Sequence, residues 1–266
     1  MRSSLLAATT MGQLQKKLDI VGQNMANANT TGYKAKTANF SSLLTQQINQ
    51  PNDQAPRQTP EGIRQGTGAR LGHTNLRMTA GSLQQTDRPL DVALTNENQY
   101  FQVQVTNNGA TETQYTRAGN LYLQPVNNNE QVMLVSAEGN PLMGQNGPIM
   151  IAGGMDNVEI QDNGNIVVTR GQAKQVEDTL DVVQINRPRS LESAGGNRYR
   201  FPNGPEAGML ENVADLNLQV GALESSNVNL GEEMTSMLEI QRAYQFNSQS
   251  ISIGDQMSSL INQLRR

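Results

Sequence analysis

The fold of this chain is decided by its C-terminal stretch, residues 221–266, which reads GALESSNVNLGEEMTSMLEIQRAYQFNSQSISIGDQMSSLINQLRR. The stretch contains no proline, so nothing in it must break a helix. Asn229 is a favourable N-cap residue, and Glu232 stands where its side chain can reach back to the N-cap backbone. Glu233 suits the positive end of a helix. These signals predict a long helix that begins directly after Asn229.

Apolar side chains recur along this helix at spacings of three, four or seven residues, and the series then shifts to neighbouring positions. We call these side chains the C-terminal stripe. Its members are Leu230, Met234, Met237, Tyr244, Ile251, Ile253, Met257, Leu260 and Leu264. A narrow apolar stripe stabilises a helix only when another surface covers it. The C-terminal stripe therefore predicts a partner helix.

The N-terminal region supplies a matching pattern, in a helix that we predict over residues 3–28. Its apolar residues are spaced alternately by three and four positions, the heptad pattern of a coiled coil. We call them the N-terminal seam: Met11, Leu14, Leu18, Val21 and Met25. A helix of this length measures about 40 Å at ~1.5 Å per residue. We expect the two terminal helices to pair, and other copies of the chain to complete the burial, because Gln241 and Ser248 interrupt the C-terminal stripe.

Composition limits the functions that the 266 residues can have. Asn and Gln together number 57 and aromatic residues make up 4%, which indicates a thin core and an amide-rich surface. The formal charge of −4, without clusters of Lys and Arg, argues against a nucleic-acid partner. Because the chain has no Cys and a single His, His73, it cannot build the usual zinc sites or a thiol nucleophile.

The sequence also lacks a recognisable arrangement for catalysis. No serine lies in a G-x-S-x-G elbow, and the carboxylates are scattered among predicted strands and turns, where Asp is common for backbone reasons. We therefore expect no enzyme activity, no cofactor, no metal and no small-molecule substrate. The N-terminus has no apolar core of a secretory signal, and no window approaches the ~20 apolar residues of a membrane span. If the protein is exported, we expect it to use another route.

The middle of the chain, from about residue 75 to residue 215, has a different hydrophobic pattern, in which short apolar runs are separated by turn signals. Phe101, Val103 and Val105 alternate with Gln, which is the period of a half-buried strand, and an Asn-Asn-Gly turn at residues 107–109 follows. Many short strands without intervening helices predict an antiparallel β domain.

The predicted fold is therefore α+β and discontinuous. Two long terminal helices pair as a coiled-coil stalk, and a central antiparallel all-β domain is inserted between them. We place the helical domain at residues 1–45 and 221–266, an extended Pro- and Gly-rich connector at residues 46–74, and the β domain at residues 75–220. A further short helix is predicted over residues 40–48, and Gly32 is predicted to stop the first helix.

Several motifs resemble those of bacterial flagellar rod and hook proteins. The N-terminal signature of that family is similar to the run from Asn24 to Lys34, and its C-terminal signature is similar to L-E-x-S-N-V-N at residues 223–229 and E-I-Q-R-A-Y at residues 239–244. The signature residues are Asn24, Asn27, Gly32, Tyr33, Asn227, Asn229, Gln241 and Arg242. The central runs L-D-V-A-L at residues 90–94 and Y-T-R-A-G at residues 115–119 also match, and the connector resembles a stretch that rod subunits carry.

The resemblance implies a structural subunit of the flagellar basal-body rod, of the distal class with the proximal class close behind. Such subunits assemble helically through their terminal helices into a hollow shaft that transmits torque to the hook and lets export substrates pass. The implied partners are copies of itself, other rod and hook proteins and the flagellar type III export apparatus, and the implied location is the basal body in the cell envelope. Phe40 and Leu44 resemble the motif that subunits present to the export gate.

Two other functions are compatible with the same residues. The chain could be a rod cap or scaffold that guides assembly. It could also display a cell-wall-binding or muralytic β domain on a helical stalk, although the absence of Trp leaves little aromatic surface for a sugar platform.

Overall fold

The computed structural model describes residues 2–42, 45–48, 63–66, 69–107, 109–126, 130–213 and 216–264. Its two long helices are α1 (Arg2–Ala26) and α2 (Leu230–Leu264). The strands between them are, in chain order, β1 (Lys36–Ser42), β2 (Thr45–Ile48), β3 (Ile63–Gly66), β4 (Ala69–Leu76), β5 (Leu83–Gln85), β6 (Val92–Leu94), β7 (Gln99–Asn107), β8 (Ala110–Thr116), β9 (Tyr122–Val126), β10 (Gln131–Val135), β11 (Met143–Gly144), β12 (Gly147–Pro148), β13 (Met150–Ala152), β14 (Asn157–Ile160), β15 (Asn165–Arg170), β16 (Ala173–Thr179), β17 (Val182–Ile185), β18 (Glu192–Gly195), β19 (Arg198–Arg200), β20 (Leu210–Asn212), β21 (Leu218–Val220) and β22 (Ala222–Glu224). A short 3-10 helix (Pro188–Ser190) lies between β17 and β18.

Every strand pairing whose register the structure describes is antiparallel, so the predicted α+β class is confirmed. The chain forms two compact units. The helical unit comprises Met1–Ala26, Lys36–Asn75 and Asn229–Arg266, and the β unit comprises Asn27–Ala35 and Leu76–Val228. Among the described residues, no helix combines the length and the apolar content needed to cross a membrane.

In the helical unit, α1 packs on α2 around a small apolar core. Leu14, Val21 and Ile240 are buried there, and the side chains that surround them are Leu18, Met25, Met237 and Ala243. The predicted pairing of the terminal helices is therefore confirmed, and the N-terminal seam contributes four of its members to the contact.

The face of α2 that packs on α1 differs from the predicted one. Ile240 is only 4% exposed, whereas Leu230, Met234 and Tyr244 of the C-terminal stripe are exposed. Of that stripe, Met237 packs in the core and Ile251 is half-buried. Only part of the stripe covers α1, because one helix can turn only one face toward a single neighbour and the stripe spreads over several faces. The prediction that other copies of the chain cover the rest stays a prediction.

The short helix predicted over residues 40–48 is also wrong. This part of the chain contains β1 and β2, and β2 pairs with β3 in the register Thr45↔Gly66 to Ile48↔Ile63. Ser, Thr and Asn side chains compete for backbone hydrogen bonds in a helix, so this Ser-rich stretch favours strands when a partner strand is present. The side chain of Phe40, all of Leu44 and residues 49–62 lie outside the described residues.

The β unit is built around a six-stranded sheet in the order β18-β19-β8-β7-β17-β20. The predicted alternation on β7 is confirmed, because Phe101, Val103 and Val105 are all buried in the main core. The predicted hairpin is confirmed as well, with Asn107 opposite Ala110 across the turn from β7 to β8. The main core continues onto the three-stranded sheets β13-β10-β9 and β14-β15-β16.

A second, aromatic core contains Tyr100, the residue of β7 that precedes Phe101. Tyr100 stacks edge-to-face on Tyr199, with ring centroids 6.1 Å apart, and Tyr115 does the same with Phe201 at 5.5 Å. Successive residues of a strand point to opposite faces, so β7 contributes Phe101 to one core and Tyr100 to the other. The β unit therefore has apolar contacts on both faces of its largest sheet.

Gly119 provides a direct test of this packing. Val92 N donates to Gly119 O at 3.0 Å, and a Cβ atom at Gly119 would lie 1.6 Å from the carbonyl oxygen of Val92. We expect Gly119→Ala to destabilise the β unit by about 3 kcal/mol or more, because the obstacle is backbone and cannot rotate away. Urea denaturation followed by tyrosine near-UV circular dichroism measures this. Gly12→Ala is the control, since a Cβ there meets nothing within 4 Å, and equal stability of both variants would contradict the packing described.

Candidate functional site

The candidate site lies where the chain enters and leaves the β unit. Because that unit is made from Asn27–Ala35 and Leu76–Val228, the chain passes between the units four times. We call residues 27–35, 76–81 and 222–228 the crossing segments. Each belongs to the β unit, and together they carry much of the sequence that resembles the flagellar family.

The side chain of Asn227 binds all three crossing segments together. Its Oδ1 accepts a hydrogen bond from Ala35 N at 2.7 Å, and its Nδ2 donates to Arg77 O at 2.7 Å and to Thr79 O at 2.9 Å. Its backbone N donates to Tyr33 O at 3.3 Å. One amide group therefore satisfies three backbone groups that lie outside the described strands.

Next to this amide, three charged side chains form a buried ion cluster of Lys34, Arg117 and Glu224. Glu224 Oε1 lies 2.6 Å from Lys34 Nζ, and Glu224 Oε2 accepts from Arg117 Nε at 2.7 Å. Arg117 Nη2 lies 2.6 Å from the same oxygen, and the three side chains are each 1% exposed. Gly81 N also donates to Oε1 at 2.8 Å. The carboxylate is thus shared by two cations and one backbone amide.

Arg117 has further acceptors that keep its guanidinium in place. Nη1 donates to Asn96 O at 2.8 Å and to Gln99 O at 2.9 Å, and Nη2 donates to Leu94 O at 3.3 Å. Lys34 Nζ donates, besides its contact with Glu224, to Thr79 O at 2.9 Å. Because a guanidinium is a planar donor with a fixed geometry, Arg117 is the more rigidly held of the two cations.

The pKa values of the ion cluster follow from this geometry. Burial alone would raise the pKa of the Glu224 carboxyl, but Arg117 and Lys34 outweigh it and hold the pKa below its usual 4.5. Burial lowers the pKa of Lys34 below 10.5, although Glu224 acts in the opposite direction. Glu224 therefore remains ionised across the neutral range and binds both cations.

Two glycines allow the crossing segments to approach this closely. Gly32 has φ +66, donates its N to Glu224 O at 2.7 Å, and would place a Cβ 2.7 Å from the carbonyl carbon of Arg117. At Gly81 a Cβ would lie 1.9 Å from Ser225 O. Gly32 was predicted to stop the first helix, which is wrong because α1 already ends at Ala26. Gly32 instead allows close contact with the backbone of Arg117, which directly follows β8.

In the helical unit, Asn24 makes a comparable set of contacts. Its Nδ2 donates to Lys36 O at 2.9 Å and to Glu233 Oε1 at 2.8 Å, and its Oδ1 accepts from Lys36 N at 2.9 Å. Asn24 thereby joins the C-terminal end of α1, the start of β1 and the first turn of α2. At that turn the predicted N-cap is confirmed, since Asn229 Oδ1 accepts from Gly231 N at 3.0 Å and from Glu232 N at 3.4 Å.

The predicted site residues thus fall into separate groups. Asn24, Gly32, Tyr33, Asn227 and Asn229 bind chain segments at the ends of the helices, and Asn27 Oδ1 accepts from Thr30 Oγ1 in the turn after α1. Gln241 and Arg242 are exposed on α2. The structure brings together Lys34, Arg117 and Glu224, which lie in the motifs at residues 24–34, 115–119 and 223–229 but for which the sequence predicts no role. The one sequence signal for their burial is that each charged residue stands in a short run that is otherwise apolar or contains Gly.

Nothing in this arrangement resembles a reactive centre. The ion cluster is buried, and within the described ranges no group of three or more His, Asp or Glu side chains is placed to hold a metal ion. The side chain of His73 lies outside the described residues. What the residues do is bind distant chain segments to one another.

These features define a structural protein whose two ends form a helical unit and whose middle forms an antiparallel β unit. Three family models match the chain: flagella basal body rod protein at residues 5–34, flagellar hook protein FlgE/F/G D1 domain at residues 96–168, and flagellar basal body rod FlgEFG protein C-terminal at residues 219–264. The chain belongs to the flagellar basal-body rod and hook protein family. Lys34, Arg117 and Glu224 each fall within a different one of these three models.

Relatives are similar over the whole length. The flagellar hook-basal body complex protein FlhP of Bacillus subtilis is 42% identical and covers 100% of both chains. The flagellar basal-body rod protein FlgG of Buchnera aphidicola (subsp. Acyrthosiphon pisum) is 33% identical over 97% of this chain and 98% of its own. FlgG of Bacillus subtilis is 30% identical over 100% of both. These similarities support a structural role in the flagellar basal body.

Tyr100, beside the ion cluster, predicts how the β unit responds to alkali. Burial raises the pKa of its hydroxyl from 10.0 to about 12, and the hydroxyl donates to Met78 Sδ at 3.1 Å. A raised pKa contributes stability that is present below pH 10 and is lost as the pH rises toward about 12. We expect the free energy of unfolding to fall over this range, and to fall less in Tyr100→Phe. Urea denaturation at successive pH values measures this, with exposed Tyr122→Phe as the control. Equal slopes for both variants would contradict the assignment.

Proposed function

We propose that this protein is a structural subunit of the flagellar basal-body rod that assembles helically with copies of itself through an exposed face of α2. The observation that carries the proposal is a row of large apolar side chains in the second half of α2. They are Phe246, Ile253, Met257, Leu260 and Leu264, which we call the exposed α2 row, and each is between 57% and 88% exposed.

The exposed α2 row has the spacing of a contact surface. Its members follow one another at seven, four, three and four residues, so they lie on one side of the helix. Ile240 and Ala243, which pack on α1, lie on a different side. Single exposed apolar residues need no explanation, but a continuous row of this length favours a protein interface. Four of its five members belong to the predicted C-terminal stripe, and the fifth, Phe246, was not predicted to belong to it.

Membership of the flagellar rod and hook family supports a helical type of assembly. A contact between two different faces of identical chains produces a helical filament when the rotation between neighbours does not close into a ring, and we propose that copies join in this way. In this arrangement α1 and α2 line a hollow shaft, the β unit lies outside it, and the connector at residues 46–74 stiffens it. The shaft transmits torque to the hook and lets export substrates pass. Other rod and hook proteins and the type III export apparatus are its partners, the latter through Phe40 and Leu44.

Two relatives from the same bacterium differ in their similarity to this chain, and the difference indicates which type of rod subunit the chain resembles. The chain is 42% identical to FlhP of Bacillus subtilis but 30% identical to FlgG of the same organism. We therefore propose that the chain takes the place of an FlhP-type subunit, and that its own bacterium makes a separate FlgG-type subunit.

Leu260→Glu tests the exposed α2 row. Leu260 is 59% exposed, so the change leaves the isolated chain folded, but in an assembled interface it buries an unpaired charge at a cost of several kcal/mol. We expect the variant to be absent from purified basal bodies, and swimming in soft agar to fall at least tenfold in a strain that lacks its own copy.

The control is Asn262→Glu, which places the same charge at an exposed position on another side of α2. It should assemble and support swimming. Circular dichroism of both purified variants checks that the helices and the β unit remain folded. Incorporation of Leu260→Glu at the parental level would contradict the proposed interface.

A further inference from the structure

We propose that Glu224 is the closing residue of the β unit, because its carboxylate supplies the negative charge without which the crossing segments at residues 27–35 and 76–81 stay open. Both cations of the ion cluster, Lys34 and Arg117, precede their shared carboxylate in the chain. The β unit therefore cannot close at this place until its last crossing segment, residues 222–228, has arrived. This inference concerns the single chain and does not depend on the assembly proposed above.

The charge balance of the cluster carries the first step. Lys34, Arg117 and Glu224 are each 1% exposed, so water does not compensate their charges. Two buried cations without an anion repel each other, and removing one partner of a buried ion pair is far more destabilising than never having had the pair. A β unit that lacks the Glu224 charge must therefore stay open, expose one of the cations, or hold Lys34 as a neutral amine, and each of these outcomes costs free energy at neutral pH.

The backbone contacts of the same segment carry the second step. β22 pairs with β5 in the register Ala222↔Gln85 to Glu224↔Leu83. Glu224 O accepts from Gly32 N, and Glu224 Oε1 accepts from Gly81 N. The arrival of this one residue thus supplies acceptors to both other crossing segments at once. Asn227, three residues later, completes the closure with its bonds to Ala35, Arg77 and Thr79.

The two cations differ in what holds them, and this decides which segment opens. Arg117 has three carbonyl acceptors besides Glu224, and these remain when the carboxylate is neutralised. Lys34 keeps only its bond to Thr79 O among the contacts described above. Lys34 is therefore the cation that we expect to move into water, and residues 27–35 are the segment that we expect to move with it.

Hydrogen exchange of the full-length monomer, followed by mass spectrometry, tests the proposal. The reporters are the amides of Gly32, Ala35 and Gly81, which donate to Glu224 or Asn227. In Glu224→Gln we expect peptides over residues 27–35 and 76–85 to exchange at least tenfold faster than in the parent. Peptides over β15, which lies in the main core, should be unchanged. The matched control is Glu211→Gln, the same change at an exposed position of the β unit.

A second variant separates the charge from the loss of a contact. Adding Lys34→Met to Glu224→Gln removes the unpaired cation, so we expect the double variant to exchange more slowly in the crossing segments than Glu224→Gln alone. If the carboxylate serves only as one more hydrogen-bond acceptor, removing Lys34 as well makes the opening worse.

Three results would overturn the proposal: unchanged exchange in Glu224→Gln, faster exchange that includes β15, or a double variant that opens further than the single one. None of these readouts involves assembly. The Leu260→Glu experiment can therefore fail while this proposal holds, and the reverse is equally possible.

Discussion

The carboxylate of Glu224 accepts charge-assisted hydrogen bonds from Lys34 and Arg117 at a place that water does not reach. In such surroundings each bond is strong, and none of the three groups can be left without its partners at low cost. The crossing segments are therefore bound near the two places where the chain leaves the β unit, at residue 34 and at residue 224. Asn227 and the two close-contact glycines, Gly32 and Gly81, depend on the same arrangement, because they fit only when the segments lie against one another.

The motifs that relate this chain to flagellar proteins acquire a physical meaning from this contact. The three matched family models are separated along the sequence, yet each contains one member of the ion cluster. Each of the three matched regions thus contributes one residue to the same buried contact. α2 has two different faces. Ile240 and Ala243 pack on α1 within the chain, whereas the exposed α2 row lies on another side of the helix and is open to solvent.

Several features could be predicted because they depend on residues close together in sequence. The heptad spacing of Leu14, Leu18 and Val21, the Asn229 cap and the alternation on β7 each describe one element and its own surroundings. The errors came where a neighbour from elsewhere in the chain decides the outcome. Residues 40–48 form strands because β3 pairs with β2, and Ile240 replaces most of the C-terminal stripe because only one face of α2 meets α1.

By itself, the sequence determined that the chain has two long terminal helices, an antiparallel β region between them, and motifs of the flagellar rod and hook family. Periodicity and capping are short-range properties, so they can be recognised without knowing what packs against them. Only the tertiary structure decided that Lys34 and Glu224, 190 positions apart, share a buried ion pair. A charged residue in a sequence is ordinarily expected at the surface, and it becomes a buried partner only when folding brings an opposite charge to it and excludes water from both.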